Sequence, residues 1–414
     1  MTRHSGRPHV LITDAGRGSA VAFIRSLGRR GWKVTAGDHD PASPGFHSRF
    51  TTEKLLYPRP SEHPDAVVDA ILARVERDGI DLVVPITDEL GLPLAEARDR
   101  FAGLTTLAIP EPDALAATHD KSATFALAER LGIAVPPTRV VEVGADASAR
   151  GTELGFPVVV KPVASREVLA DRTIRSNVVS YAADAAGLKA RLGSLPPGTT
   201  VMLQRWVPGD GIGVELLMDH GRPLVAFEHR RLHEFPPTGG ASSLRESVAL
   251  DGDLHDQAVR MLSELGWTGL AMVEFRRGRD GVGYLMEING RVWGSLPLAV
   301  RAGVDFPARL ADLLLDEAPG ISPTVAATDT AYRRGVRARN LRLEIAWIGS
   351  VLSGRRRQRG MPWPSRRQAV GAMVGLLDPR IGDDLMSWSD PAPGLAQLGT
   401  IVRDGLRDQR RPDA

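Results

Sequence analysis

Two glutamates near the middle of the chain lie on segments that read as neighbouring strands. Glu274 lies inside an apolar run, and Glu287 opens the sequence Glu-Ile-Asn-Gly-Arg that ends at Arg291. The turn-rich segment 277–281 between them predicts a hairpin. Because side chains alternate along a strand, Glu287, Asn289 and Arg291 are expected on one face. Glu274 can then lie opposite them on the paired strand.

This set of groups is suited to holding a divalent cation against phosphate. Mg²⁺ prefers a few carboxylate oxygens completed by phosphate oxygens and water, and a guanidinium pairs with phosphate. Burying two unpaired carboxylates on one sheet face would cost roughly several kcal/mol unless a cation lies between them. The alternative interpretation is a pair of surface acids on an exposed sheet face.

Composition limits the class of protein. With 414 residues, 43% of them hydrophobic and 25% charged, the chain is expected to form two or three domains of an ordinary globular protein. The absence of cysteine excludes disulfides, thiolate metal sites and cysteine nucleophiles. No secretory signal is visible in residues 1–10 and no run of eighteen apolar residues occurs, so a cytoplasmic protein without a transmembrane segment is expected. The net charge of +2 argues against general nucleic-acid binding.

The near-neutral total hides a basic segment at residues 331–367. It contains eleven arginines and one acid, Glu344, which gives a local charge of +10. Such a segment could bind an acidic partner, an anionic substrate or a lipid surface. The alternative is a set of arginines on solvated helix faces.

Lysine is scarce, with five lysines against 47 arginines. A compact ammonium serves where a planar guanidinium does not fit, so a lysine kept among arginines indicates a specific need. Lys161 ends an apolar strand, and Lys121 starts a helix that continues to Leu131. For Lys121 alone, an exposed helix-start residue is an equally simple interpretation.

The N-terminal segment has the pattern of an open parallel α/β unit. A strand at residues 9–13, a glycine turn, a helix and a second strand follow one another. Gly16 and Gly18 followed by Asp38 form part of a dinucleotide fingerprint, which raises NAD binding as an alternative. Val21 replaces the third glycine of that fingerprint.

From about Asp120 a different unit begins, and here the chain resembles the ATP-grasp superfamily, most closely its carbamoyl-phosphate-synthase-like members. The resemblance covers roughly residues 8–320. It rests on four motifs in order, which are Asp120-Lys121, Val159-Val160-Lys161-Pro162, Gln204-Arg205-Trp206-Val207-Pro208-Gly209, and Glu274 with Glu287-Ile288-Asn289-Gly290-Arg291.

The resemblance implies that ATP lies between two α+β subdomains. It assigns the phosphates to Lys121 and Lys161, and the ribose to Asp210. It assigns adenine to the backbone of a hinge that consists of Gln204, Arg205, Trp206 and Val207. It assigns two Mg²⁺ ions, which Mn²⁺ could replace, to Glu274, Glu287 and Asn289. Arg291 is implied to lie beside the transferred phosphoryl group, where it would neutralise developing charge.

Two features depart from the family pattern. The expected phosphate flap, residues 164–177, contains no glycine, whereas the flaps of the family are commonly glycine-rich. Its arginines and serines could substitute with side chains, namely Arg166, Arg172, Arg175, Ser165 and Ser176. The hinge acid of many relatives is replaced by Gln204, whose amide oxygen can still accept a hydrogen bond from adenine.

The binding site for the acceptor substrate is expected between the hinge and the metal-binding hairpin. Arg230 and Arg231 could hold a substrate carboxylate bidentately, or they could be a solvated strand end. Gly239 and Gly240 could bring backbone amides close to an acyl phosphate, or they could form a surface turn.

The sequence therefore predicts an α/β and α+β protein in three parts. A Rossmann-like domain at 1–115 precedes an ATP-grasp domain at 116–322, whose small lid subdomain spans about 135–203. A mostly helical, basic extension at 323–414 follows and is expected to pack back through Trp347, Trp363 and Trp388.

The implied activity is that of an ADP-forming ligase that makes C–N bonds. A small-molecule carboxylate would be activated as an acyl phosphate and then joined to an amine, or to another nucleophile. Alternatives are a phosphotransferase without ligation and an inactive ATP-binding regulatory protein. A homo-oligomer is compatible with all three.

Overall fold

The N-terminal unit is a five-stranded parallel sheet with the strand order β3-β2-β1-β4-β5. In this computed structural model the described residues are 7–144, 146–163, 166–168, 173–176, 179–315, 331–354, 357 and 360–409. The central strands are buried on both faces, so they read as continuous apolar runs. The elements are β1 (His9–Ile12), α1 (Gly18–Arg29), β2 (Lys33–Asp38), β3 (Glu53–Leu56), α2 (Pro64–Asp78), β4 (Leu82–Val84), α3 (Asp88–Glu96), α4 (Arg98–Phe101), β5 (Thr106–Leu107) and α5 (Pro112–His119), with a 3₁₀ turn at Pro44–His47.

Asp38, the acid that suggested a dinucleotide site, holds the glycine turn after β1 through hydrogen bonds. One oxygen of Asp38 accepts hydrogen bonds from the Gly16 N–H at 2.7 Å and from the Ser43 hydroxyl at 2.8 Å. Its other oxygen accepts from the Asp40 N–H at 3.0 Å. Both oxygens therefore fix the loop, which argues against Asp38 as a ribose ligand.

The second unit is a four-stranded antiparallel sheet in the order β10-β7-β11-β6, packed through an apolar cluster onto α7 and α8. α6 (Lys121–Arg130) precedes this sheet in the chain and packs outside its core. The elements of the unit are β6 (Thr138–Glu142), α7 (Ala147–Thr152), β7 (Val158–Pro162), β8 (Arg166–Val168), β9 (Ile174–Ser176), β10 (Ser180–Ala182), α8 (Ala185–Gly193) and β11 (Thr200–Arg205). The backbones of β8 and β9 pair as a separate hairpin in the expected flap. Ser165 and Arg172 of that flap lie outside the described residues, as do the side chains of Arg166, Arg175 and Ser176.

The third unit is a seven-stranded sheet with the order β16-β15-β12-β13-β14-β17-β18. Its first part consists of β12 (Gly209–Asp219), β13 (Arg222–Phe235), β14 (Ala241–Ser247), α9 (Gly252–Glu264), β15 (Gly269–Gly278), β16 (Gly283–Asn289), α10 (Leu296–Ala302) and α11 (Phe306–Leu315). One apolar cluster runs from the first sheet through α10 and α11 to this one. The mixed α/β and α+β class expected from the sequence is thereby confirmed.

The C-terminal region adds strands to this sheet and helices beside it. The remaining elements are β17 (Arg337–Arg339), α12 (Leu341–Ser353), α13 (Arg366–Gly375), β18 (Ile381–Asp383) and α14 (Ala392–Gln409). β17 pairs with β14 and β18 pairs with β17, so part of the expected helical extension completes the large sheet. Among the described residues, none of the helices is both long and apolar enough to span a membrane.

The three tryptophans expected to dock the extension behave differently. Trp347 is 2% exposed and stacks on His233, with ring centroids 3.8 Å apart. Trp363 is half-buried. The prediction for Trp388 was wrong, because its side chain is fully exposed at 101%. It lies in the turn just before Asp390, and that acid rather than the ring makes the buried contact, an ion pair of 2.9 Å with Arg25.

Candidate functional site

A cavity of about 500 Å³ lies between the small antiparallel sheet and the large sheet. The small sheet contributes Lys161 and the hinge after β11, and the large sheet contributes the paired strands β15 and β16. The N-terminal unit and the C-terminal region also reach it, through Arg17 and through Asn340. All of the expected site residues except Arg230 and Asp210 line this cavity.

The acidic centre of the cavity is formed by the pairing of β15 with β16. Glu274 and Glu287 are directly opposite each other in the strand register. The Asn289 side-chain amide donates to Glu274 Oε1 at 3.0 Å and to Glu287 Oε1 at 3.3 Å. The hairpin predicted from the sequence therefore forms, and it gathers these three side chains on one face.

The donor set fits a magnesium–phosphate site better than an all-protein metal cage. Across the described ranges, no group of three or more histidine, aspartate or glutamate side chains is placed to hold a metal ion. The centre instead offers two carboxylates and, after rotation of the amide that exchanges its N and O atoms, the Asn289 oxygen. Such a partial shell needs phosphate oxygens and water to complete it, as Mg²⁺ commonly has.

Two lysines bring positive charge to the same acids. The α6 start is fixed by Asp120, whose carboxylate accepts from the Ser122 N–H at 2.7 Å, and Lys121 Nζ then lies 3.4 Å from Glu287 Oε2. Burial lowers the pKa of Lys161 to about 8, although attraction to Glu287 opposes this. Burial alone would raise the pKa of Glu287, but the two lysines lower it to about 2. Glu287 is therefore an anion held among cations.

The Arg231 side chain is paired with other groups of the protein. Its guanidinium forms an ion pair with Glu274 and lies 3.5 Å from Glu234 Oε1. It also donates to the Gly240 carbonyl at 3.2 Å. Burial raises the pKa of Glu274, and the charge of Arg231 opposes that rise. Arg231 thus orients a candidate metal ligand.

Arg230, which the sequence offered as a second carboxylate clamp, lies outside the cavity lining. Successive side chains of a strand point to opposite faces, so Arg230 and Arg231 cannot both face the site from within β13. Arg230 is 44% exposed and pairs with Glu246 at 3.2 Å. The clamp built from both arginines is therefore wrong.

Arg291 is held from the N-terminal unit. Its Nε lies 2.9 Å from Oδ2 of Asp88, the first residue of α3, and its Nη1 donates to the Val292 carbonyl at 3.0 Å. Asp88 was missed by sequence reasoning, since 203 positions separate the two residues and no local pattern marks the pair.

The hinge contains a hydrogen-bond acceptor, Gln204 Oε1, that has no donor among the described residues. Thr138 donates its hydroxyl proton to the Pro136 carbonyl at 2.7 Å, so it can only accept from the Gln204 amide nitrogen, 3.0 Å away. This orients Gln204 Oε1 the other way, and that oxygen is buried with no hydrogen-bond partner among the described residues. A buried acceptor without a donor is costly, so a ligand N–H is expected there.

Asp210, the expected ribose acid, lies outside the lining of the cavity, and its neighbour Gly211 lines it instead. The reason is again strand alternation, because Asp210 and Gly211 are consecutive in β12. A Cβ at Gly211 would come within 2.7 Å of Glu234 Oε1. The acid on this side of the cavity is therefore Glu234, which Arg276 holds through two contacts of 2.9 and 2.8 Å.

The family model described as ATP-grasp in the biosynthetic pathway with Ter operon matches residues 198–339, which include the hinge and the acidic hairpin. This match supports an ATP-grasp assignment for that part of the chain. The match ends at Arg339, the last residue of β17.

Curated relatives support the carbamoyl-phosphate-synthase-like placement. The chain is 28% identical over 322 residues to the carbamoyl phosphate synthase large chain of Deinococcus deserti, a match covering 72% of this chain and 29% of that one. It is 27% identical over 273 residues to the D-alanine–D-alanine ligase of Pseudomonas entomophila, covering 60% and 80%. The chain thus spans less than a third of the synthase it resembles.

A solved structure shares the fold. The biotin carboxylase–βγ-ATP complex from Campylobacter jejuni superposes with a TM-score of 0.61 at 16% identity, covering 80% of this chain and 74% of that one. This likeness is one of fold.

Proposed function

We propose that this protein is an ATP- and Mg²⁺-dependent ligase that activates a carboxylate as an acyl phosphate, forms ADP, and joins the acyl group to an amine. The single observation that carries the proposal is the side-by-side placement of Glu274, Glu287 and Asn289 within a cavity that also holds two lysines. The proposal places the ATP-grasp domain at 116–322 and its lid at about 135–203, after an N-terminal domain at 1–115.

Different residues of the cavity would bind the adenine, the ribose and the phosphates of ATP. Gln204 Oε1, buried and without a partner among the described residues, would accept a hydrogen bond from the adenine amino group. Lys121, whose Nζ now lies 3.4 Å from Glu287 Oε2, and Lys161 would bind phosphate oxygens. Glu234 takes over the ribose role first given to Asp210. Mg²⁺ bound at Glu274, Glu287 and Asn289 would neutralise phosphate charge as it develops.

The proposed reaction has two balanced steps. A carboxylate oxygen attacks the γ-phosphorus, the bond to the β,γ-bridging oxygen breaks, and an acyl phosphate and ADP result. The amine nitrogen then attacks the acyl carbon, phosphate leaves with the C–O bonding electrons, and the nitrogen loses a proton. Arg291, which is anchored by Asp88, would stabilise negative charge on the transferred group.

The test is ADP and phosphate release by the full chain with Mg²⁺, ATP and panels of carboxylic acids and amines. We expect a carboxylate to stimulate ADP formation and Glu287→Ala to abolish nearly all of it. Glu264→Ala, an exposed acid on α9, is the matched control and should retain full activity. Formation of AMP and pyrophosphate would overturn the acyl-phosphate scheme. A stable phosphorylated product with no amide would instead identify a phosphotransferase.

A further inference from the structure

Helix α13 has two apolar faces, and the residues that the structure describes cover only one of them. Ala369 packs into a cluster with Trp347, Ile348 and Val351 of α12. Ala372 and Leu376 pack against the same cluster. These three positions follow the spacing of one helix face, so α13 is fixed to α12 along it.

A second face of the helix carries larger apolar side chains and is open to solvent. Val370 is 53% exposed, Met373 48%, Val374 67% and Leu377 86%. Their spacing of three, four and seven residues places them in one stripe, which runs from the helix to the second residue past its end. Soluble surfaces expose such residues singly, whereas a contiguous stripe marks an interaction surface. We call these four residues the α13 stripe.

The charges around the α13 stripe are positive. Arg366 and Arg367 open the helix and are exposed, and α13 itself contains no acidic residue. Arg357 in the preceding loop is also exposed. Beyond the helix end, Asp378 is paired with Arg380 at 2.9 Å. The whole segment 331–367 carries a formal charge of +10.

We propose that the α13 stripe docks on the surface of an anionic phospholipid membrane. An interfacial helix combines an apolar face with arginines at its border, and it needs no hydrogen-bonding partner on the apolar face. A second copy of the chain would bring two arginine-rich surfaces together and would be repelled. The α13 stripe contributes nothing to the cavity lining, so this inference goes beyond the proposed reaction and does not depend on it.

The test is flotation of the full chain with vesicles of phosphatidylcholine alone or mixed with phosphatidylglycerol. We expect binding only to the anionic vesicles, weakened by added salt. The double variant Val374→Asp/Leu377→Asp should reduce the bound fraction at least about tenfold, since it removes apolar contact and adds like charge to that of the lipid. Arg366→Gln and Arg367→Gln should each weaken binding about fivefold.

Matched controls separate the α13 stripe from general surface effects. Leu104→Asp changes an exposed leucine of the N-terminal unit, and Arg191→Gln changes an exposed arginine on α8. Both should bind vesicles as the unchanged protein does. ADP formation and the melting temperature should be the same in all variants. No flotation of the unchanged protein with anionic vesicles, or equal flotation of the double variant, would overturn the proposal. So would a concentration-dependent dimer that Leu377→Asp abolishes, because the α13 stripe would then be a contact between copies.

Discussion

Arg291 and Asp88 lie 2.9 Å apart, Nε to Oδ2, and this pair joins the acidic hairpin to the N-terminal unit. Asp88→Asn removes the charge that orients the guanidinium while keeping a similar shape. A hydrogen bond to a charged group contributes about 1.5–3 kcal/mol, so we expect kcat to fall about tenfold or more with little change in ATP affinity. Asp69→Asn breaks a comparable pair of 2.7 Å on the surface, with Arg100, and should leave kcat unchanged. An unaltered kcat in Asp88→Asn would contradict the role given to Arg291.

Arg231→Met should destabilise the fold, because it leaves the buried Glu274 carboxylate without its ion-pair partner. Losing one member of a buried pair costs about 3–5 kcal/mol of unfolding free energy, measured by urea denaturation in the presence of a chelator. The double variant Arg231→Met/Glu274→Gln should recover most of that loss. Arg230→Met, on the exposed face of the same strand, should cost less than about 1 kcal/mol. Equal losses at the two arginines would show that Arg231 is not committed to Glu274.

Glu228 should make the protein less stable as the pH rises. Burial raises the pKa of its carboxyl to about 7, against the hydrogen bond from the Asp251 N–H. The folded pKa lies above the unfolded value of 4.5, so the stabilising proton is present below pH 4.5 and is lost as the pH passes 7. The loss amounts to about 3 kcal/mol of unfolding free energy.

Glu228→Gln should remove that dependence, since glutamine stays neutral. Urea denaturation across this pH range compares the two proteins. Glu129→Gln, at an exposed position, should keep the original slope. A slope that survives in Glu228→Gln would place the titrating group elsewhere.

Trp347 packs helix α12 of the C-terminal region against strand β13, next to the cavity. It stacks on His233 at an interplanar angle of 7°, and the preceding turn of α12 brings Leu343 to the cavity. Trp347→Ala should cost about 3–5 kcal/mol of unfolding free energy and lower activity as well. Trp388→Ala, which removes a fully exposed ring, should cost less than about 0.5 kcal/mol. Thermal unfolding with a parallel ADP assay checks both; equal losses would refute the difference.

Local pattern was enough to predict the acidic hairpin and the two lysines. Alternation along a strand places Glu287 and Asn289 on one face whatever the rest of the fold does. An apolar run ending in Lys161 and a helix opening at Lys121 are equally local features. Each depends on residues only a few positions apart, so the sequence contains the needed information.

The same alternation of side chains explains why two of the predicted site residues were wrong. Arg230 and Asp210 were selected by residue type, yet Arg231 and Gly211 are the members of each pair that face the cavity. Which face of a strand is buried depends on what packs against it. That information was absent from the motif itself.

By itself, the sequence determined the parallel N-terminal sheet and the carboxylate centre, because both depend on short-range periodicity and spacing. Tertiary structure decided that Asp88 holds Arg291, that Glu234 rather than Asp210 lines the cavity, and that the described residues leave the α13 stripe uncovered. These outcomes depend on contacts between distant segments, and chain folding alone brings such segments within hydrogen-bonding distance.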